Sequence, residues 1–133
     1  MGQQQLLLII LGVIIVGIAV AVGITMFQDN AINSNRDAVS NDLVNLAARA
    51  QQFYRRPTGM GGGGNTFTGL TNNDAGIQKL TQNQVNDNGS YSIKTAGAQQ
   101  ITLLGVGKYT IGTDSIKVEC LVTPQAYTLI VIK

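Results

Sequence analysis

One segment near the start of the chain limits the possible folds more than any other feature. The apolar segment is the 22-residue stretch Leu6–Phe27, LLLIILGVIIVGIAVAVGITMF, which carries no charged residue. Because a helix rises about 1.5 Å per residue, this stretch spans roughly 33 Å and matches the hydrocarbon core of a bilayer. The sequence therefore predicts a membrane-length helix close to the N-terminus.

The flank of the apolar segment is unusual, because no lysine or arginine precedes it. The first basic residue is Arg36, whereas cytoplasmic lysine and arginine normally set the orientation of an inserting helix. Two interpretations are open: a basic leader has been removed by proteolysis, or the helix inserts without this electrostatic signal. We favour the removed leader.

The remaining residues suffice for one small domain and carry few charged groups. The net charge of +2 is scattered along the chain, so no basic patch predicts a nucleic-acid partner. Histidine is absent, which removes the commonest general base and transition-metal ligand. The seven acidic residues lack the spacing of a calcium loop. We therefore expect no enzyme activity and neither a cofactor nor a metal site.

Three glycines interrupt the apolar segment: Gly12, Gly17 and Gly23. Small residues let membrane helices approach one another closely, and each glycine weakens a helix in water by about 1 kcal/mol relative to alanine. Two interpretations stay open. The segment is an ordinary single-pass anchor, or it packs against copies of itself and unwinds locally around Gly12–Gly17.

A second pattern begins directly after the apolar segment. Proline and glycine are absent between Gly23 and Pro57, and Pro57 and Gly59 end the helical pattern. We predict one helix through Arg56, hydrophobic over residues 1–28 and amphipathic over 29–56, with a break at 28–34 as the alternative. Its apolar residues fall at helical spacing on one face: Ile32, Val39, Leu43, Leu46, Ala50 and Phe53.

Residues 57–88 form an irregular connection in this interpretation. Four consecutive glycines, Gly61–Gly64, indicate a flexible or closely approached surface loop. The run lacks the lysine and serine or threonine of a phosphate-binding loop, so we discount that role. A short helical turn is predicted at 75–80 and a tight turn at Asn86–Gly89.

Alternating apolar and polar residues over 89–133 predict an antiparallel sheet of four or five strands. The clearest strand is Ser115–Val122, in which Ile116, Val118, Cys120 and Val122 share one face. The apolar face of the helix is the obvious cover for it, which predicts an α+β fold with a helix–sheet core. Cys120 then lies in that core as a small, unreactive hydrophobic residue.

The terminal strand, residues 126–132, is apolar on both faces. An outward apolar row on a terminal strand predicts either a covering loop or a neighbouring subunit. Residues 57–80 are one candidate cover, and a second copy of the chain is the other.

The chain resembles a type IV pilin. The apolar segment starts directly after position five, Phe27-Gln28-Asp29 is similar to the aromatic-Gln-Asp stretch that often ends the pilin hydrophobic segment, and the order of helix, loop and sheet is that of the family. The resemblance implies that a prepilin peptidase removes a leader, that Met1 is then methylated, and that subunits pass from the inner membrane through a pilus assembly machinery into a homopolymeric filament.

The chain departs from the family pattern at two positions in the helix. Gln5 stands where pilins usually have glutamate, and Val22-Gly23 replaces a helix-breaking proline. Glutamine accepts a hydrogen bond from an N-terminal ammonium but brings no charge, and it avoids burying an anion. We assign subunit assembly to these residues: Met1, Gln5, Leu6, Gly12, Gly17, Gly23 and Phe27.

The expected function is therefore structural: a major pilin in an extracellular, cell-surface filament. Two alternatives remain, namely a membrane-anchored extracytoplasmic binding domain that does not polymerise and a major pseudopilin of a type II secretion system. Asn88-Gly89-Ser90 also fits an N-glycosylation acceptor on a turn.

Overall fold

The computed structural model describes Gly2–Ile132. Met1, to which processing, methylation and assembly were assigned, lies outside the described residues. In chain order the elements are α1 (Gly2–Arg55), a 3-10 turn (Thr58–Met60), α2 (Asp74–Gln78), β1 (Gly89–Ala96), β2 (Ile101–Ile111), β3 (Asp114–Val122) and β4 (Tyr127–Val131).

Helix α1 runs without interruption from the apolar segment into the globular domain. Its 54 residues give a length of roughly 80 Å at about 1.5 Å per residue. The helix therefore has no break at 28–34 and no unwound turn at Gly12–Gly17. It ends at Arg55, two residues before Pro57. This end is expected, because proline disfavours the helical conformation in the residue that precedes it.

The sheet is a four-stranded antiparallel meander in the order β1-β2-β3-β4. The α+β prediction is confirmed, and the number of strands is four because residues 101–111 form one strand. The pairing of β2 with β3 shifts register between Val106 and Thr110. A long N-terminal helix on an antiparallel sheet is compatible with a pilin-like fold.

The core lies between β1, β2, β3 and the packed segment of α1, which we define as Val39–Phe53. Gly105 and Gly107 of β2 face α1 at close range. A Cβ atom on Gly105 would lie 2.6 Å from Val39 Cγ1, and one on Gly107 would lie 2.3 Å from Asn35 Oδ1. The two glycines therefore set how closely the helix lies on the sheet. All nine residues assigned to the core are buried: Val39, Leu43, Leu46, Ala50, Phe53, Ile116, Val118, Cys120 and Val122.

The connection between helix and sheet contributes its own buried residues. Phe67, Leu70, Ile77 and Leu80 are buried and join the main core. The Phe67 amide donates to the carbonyl of Ala98 in the β1–β2 turn, 3.0 Å away, and α2 contacts β1. This segment therefore covers the β1 edge of the sheet.

The opposite edge of the sheet is β4, and the connection does not cover it. Of the two candidate covers for the terminal strand, residues 57–80 are excluded, because Phe67, Leu70 and Ile77 pack that segment against the core at the other edge. Tyr127, Leu129 and Val131 share the helix-facing side with Val122, Cys120 and Val118 through the β3–β4 register. Even so, every residue of β4 is exposed, because α1 lies over β2 and β3.

Candidate assembly interface

The apolar segment is the largest exposed hydrophobic surface of the described chain. Each of its leucine, isoleucine, valine, methionine and phenylalanine side chains is at least half exposed, and Phe27 reaches 81%. Among the described residues, α1 alone is long and apolar enough to cross a membrane. Exposed apolar patches of this size mark sites of contact with lipid or with other protein. This half of the helix is therefore the candidate contact surface.

The residues assigned to assembly lie along this exposed half without converging on one surface. Gly12 and Gly23 are eleven residues apart, about three helical turns, so they share a face, whereas Gly17 lies on another side. A Cβ atom on any of the three would meet nothing within 4 Å. Gln5, Leu6 and Phe27 are likewise exposed. Within the described chain these positions are open, and no other residue fills the space beside the glycines.

A polar cluster fixes the packed segment to the start of β1. Asp42 Oδ2 accepts hydrogen bonds from Asn86 Nδ2 (3.0 Å), Asn88 Nδ2 (2.9 Å) and the Tyr91 hydroxyl. Asn35, about two helical turns before Asp42, donates from Nδ2 to the Asn88 carbonyl at 2.7 Å. These bonds join residues separated by more than forty positions in the sequence.

Hydrogen bonding in this cluster shifts two pKa values. Burial alone would raise the pKa of Asp42, but the hydrogen bonds from Asn88, Tyr91 and Asn86 outweigh it and lower the pKa below its ordinary value. Burial and the neighbouring carboxylate raise the pKa of Tyr91. The pair therefore holds a charged carboxylate and a neutral phenol at neutral pH.

The geometry of Asn88 bears on its proposed glycosylation. The side-chain Nδ2 atom, to which a glycan is attached in such motifs, donates to Asp42. The backbone N–H of Asn88 donates to Asn86 Oδ1 at 2.9 Å within the tight turn. A glycan on the folded chain would therefore require the Asp42 cluster to open.

The end of α1 is tied to both neighbouring loops by its polar side chains. Arg49 donates to the Leu80 carbonyl at 3.1 Å, and Gln51 donates to the Thr123 carbonyl at 3.2 Å. The first bond holds the connection and the second holds the β3–β4 turn. The Gln51 bond therefore holds that turn beside the end of the helix farthest from the apolar segment.

Metal binding and thiol reactivity can each be judged from the described residues. Within residues 2–132, no cluster of three or more histidine, cysteine, aspartate or glutamate side chains could hold a metal ion. Cys120 is fully buried, and this burial raises the pKa of its thiol to about 11. The thiol therefore stays protonated and packs as an apolar side chain.

Comparison with known proteins adds no further constraint. No protein-family model, curated protein or solved structure matches the chain. The function must therefore be inferred from the exposed apolar segment and the domain attached to it.

Proposed function

We propose that the chain is a structural subunit, a major pilin, that polymerises through the apolar segment into an extracellular type IV pilus-like filament. Before assembly the segment lies in the inner membrane, and in the filament it packs against the same segment of other subunits. The observation that supports this most is the exposure of the whole segment at the end of a continuous helix. The resemblance to pilins in the first thirty residues supports it independently.

The free energy of burying apolar surface allows the apolar segment to leave the lipid and pack against other subunits. Burying apolar surface contributes about 25 cal/mol per Å2, so covering 22 such residues contributes on the order of tens of kcal/mol against dispersal in water. Helices packed with one another provide this cover as lipid does. A filament of this kind would therefore be stable outside the membrane.

The exposed strand β4 supports the same proposal. Leu129, Ile130 and Val131 are exposed on a sheet edge that no other element covers within the described chain. Such an edge is prone to association unless it is covered. In a filament, neighbouring globular domains would cover part of it, whereas a monomeric anchored domain would leave it in water.

Electron microscopy of material sheared from cells that express the chain tests the proposal. We expect thin filaments whose protein is this chain, and peptide mass spectrometry of the filaments should give a methylated Met1. If the chain stays in the membrane fraction under conditions that shear other surface filaments, the anchored binding domain is the better assignment.

A matched pair of substitutions tests the role of Gln5. Gln3 and Gln5 are the same residue type, both are exposed, and both lie in α1. Two residues turn a helix by roughly 200°, so the two side chains point to opposite sides. We expect Gln5→Leu to reduce the amount of filament much more than Gln3→Leu. Equal piliation in both variants would remove Gln5 from the assembly interface.

A further inference from the structure

The β2–β3 hairpin ends beside the boundary of the apolar segment. We define the hairpin tip as residues 108–113, all of which are exposed. Strand β2 runs antiparallel to α1: Gly105 faces Val39, and Gly107 faces Asn35. Tyr109 then lines a cleft together with Gln28 and Ala31 of the helix. The tip therefore points toward the apolar segment.

The height of the tip along α1 matches the headgroup layer of a bilayer. Ala31 is four residues beyond Phe27, which is about 6 Å along a helix. A bilayer with a hydrocarbon core of about 30 Å and a total thickness of about 40–45 Å has headgroup layers of about 5–8 Å on each side. Ile111 and the turn at Gly112, which has a φ of +66°, lie farther along the same direction.

The residue types of the tip suit that layer. Tyrosine is enriched where membrane meets water, because its ring is apolar and its hydroxyl is polar. Tyr109 is 51% exposed and Ile111 is 38% exposed. Lys108 adds a long side chain whose ammonium can reach lipid phosphate while its stem stays in the interface. Neither Tyr109 nor Ile111 belongs to the hydrophobic core of the described chain.

We propose that the hairpin tip inserts Tyr109 and Ile111 into the lipid headgroup layer while the subunit is in the membrane. The tip and Phe27 then fix the depth of the apolar segment and the orientation of the globular domain relative to the bilayer. The inference rests on the membrane stage of the proposed function and does not depend on polymerisation.

The absence of tryptophan from the chain provides a direct test. The full chain carrying Tyr109→Trp is reconstituted at low density in phosphatidylcholine vesicles whose acyl chains are brominated either near the glycerol or near the methyl end. We expect the shallow bromine to remove most of the tryptophan emission and the deep bromine to remove little. Ile111→Trp serves as a second probe, with the same expectation, if Tyr109→Trp does not fold.

Tyr127→Trp is the matched control. Tyr127 is 48% exposed and pairs with Val122 in the β3–β4 register, beside the turn that Gln51 binds. Gln51 lies 19 residues beyond Ile32, roughly 28 Å farther from the apolar segment. We expect bromine at either depth to leave the emission of this variant unchanged.

The outcomes separate this inference from the proposed function. If the variants float with vesicles and neither tip probe is quenched, the inference is overturned and the filament proposal stands. The same holds if the Tyr127→Trp control is quenched as strongly as the Tyr109→Trp variant. If the chain does not float with vesicles, both fail. Quenching confined to the tip probes supports the inference even if no filaments form.

Discussion

The two halves of α1 share one backbone but depend on different surroundings. The packed segment buries its apolar residues against the sheet of its own chain, whereas the apolar segment buries none of its side chains. The apolar segment is left for lipid or other protein to cover, and the packed segment needs only the domain that follows it. Substitutions should consequently act on membrane or subunit contacts in the apolar segment and on the folding of the domain in the packed segment.

The largest expected contrast is between two leucine truncations. Leu43 is fully buried, and Leu11 is 53% exposed. We expect Leu43→Ala to lower the free energy of unfolding by about 2–5 kcal/mol, because it removes buried methyl groups and leaves a cavity. Leu11→Ala should change it by less than about 0.5 kcal/mol. Denaturant unfolding of the full chain in mild detergent measures both, and equal losses would contradict the division between the halves.

A smaller contrast is expected between two glycines. An alanine Cβ at Gly105 would lie 2.6 Å from Val39 Cγ1, whereas one at Gly12 would meet nothing within 4 Å. Gly105→Ala should destabilise the domain by about 1–3 kcal/mol through overpacking. Gly12→Ala should leave domain stability unchanged, since it adds helix propensity outside the domain.

Thermal unfolding in the same detergent compares the two glycine variants. If the domain with Gly105→Ala is as stable as the wild type, the helix can move away from the sheet without a loss of folding free energy. A destabilising Gly12→Ala would show that the apolar segment is coupled to domain folding.

The smallest expected effect concerns the polar contact of the packed segment. The pKa of Asp42 is lower in the folded chain than its ordinary value of 3.8, so its stabilising contribution is present above that value. This contribution is lost as the pH falls through the lowered folded-state value. Asp42→Asn should cost about 1 kcal/mol at neutral pH and should weaken the loss of stability in acid.

Unfolding curves at neutral and acidic pH check this pH dependence. Asp37→Asn, on the exposed side of the same helix, is the control and should follow the wild-type curve. If Asp42→Asn and the wild type lose stability in parallel on acidification, the Asp42 carboxylate is not the source of the effect.

Local sequence pattern predicted the elements well, because each depends on neighbouring residues. The spacing of Val39, Leu43 and Leu46 identified the buried face of α1, and the alternation of Ile116, Val118 and Cys120 identified the buried face of β3. Both faces lie in the core. Pro57 correctly marked where the helix cannot continue.

What the sequence did not predict depends on tertiary proximity. No local pattern brings Asp42 to Tyr91, or the connection to the β1 edge instead of β4, because those positions follow from how helix and sheet are stacked. The close approach at Gly105 was not predicted for the same reason, because it depends on the position of Val39 in the neighbouring helix. The proposed assembly surface is less predictable still, because its proposed partner is another molecule.

The burial of Cys120 has a practical consequence for work on this subunit. Thiol-reactive dyes require an accessible thiolate, and the only cysteine of the chain is enclosed in the core with its pKa raised to about 11. A cysteine introduced on the surface, for example at an exposed position of β4, would be labelled selectively in the native protein. Fluorescent or cross-linkable subunits can therefore be made without replacing a core residue.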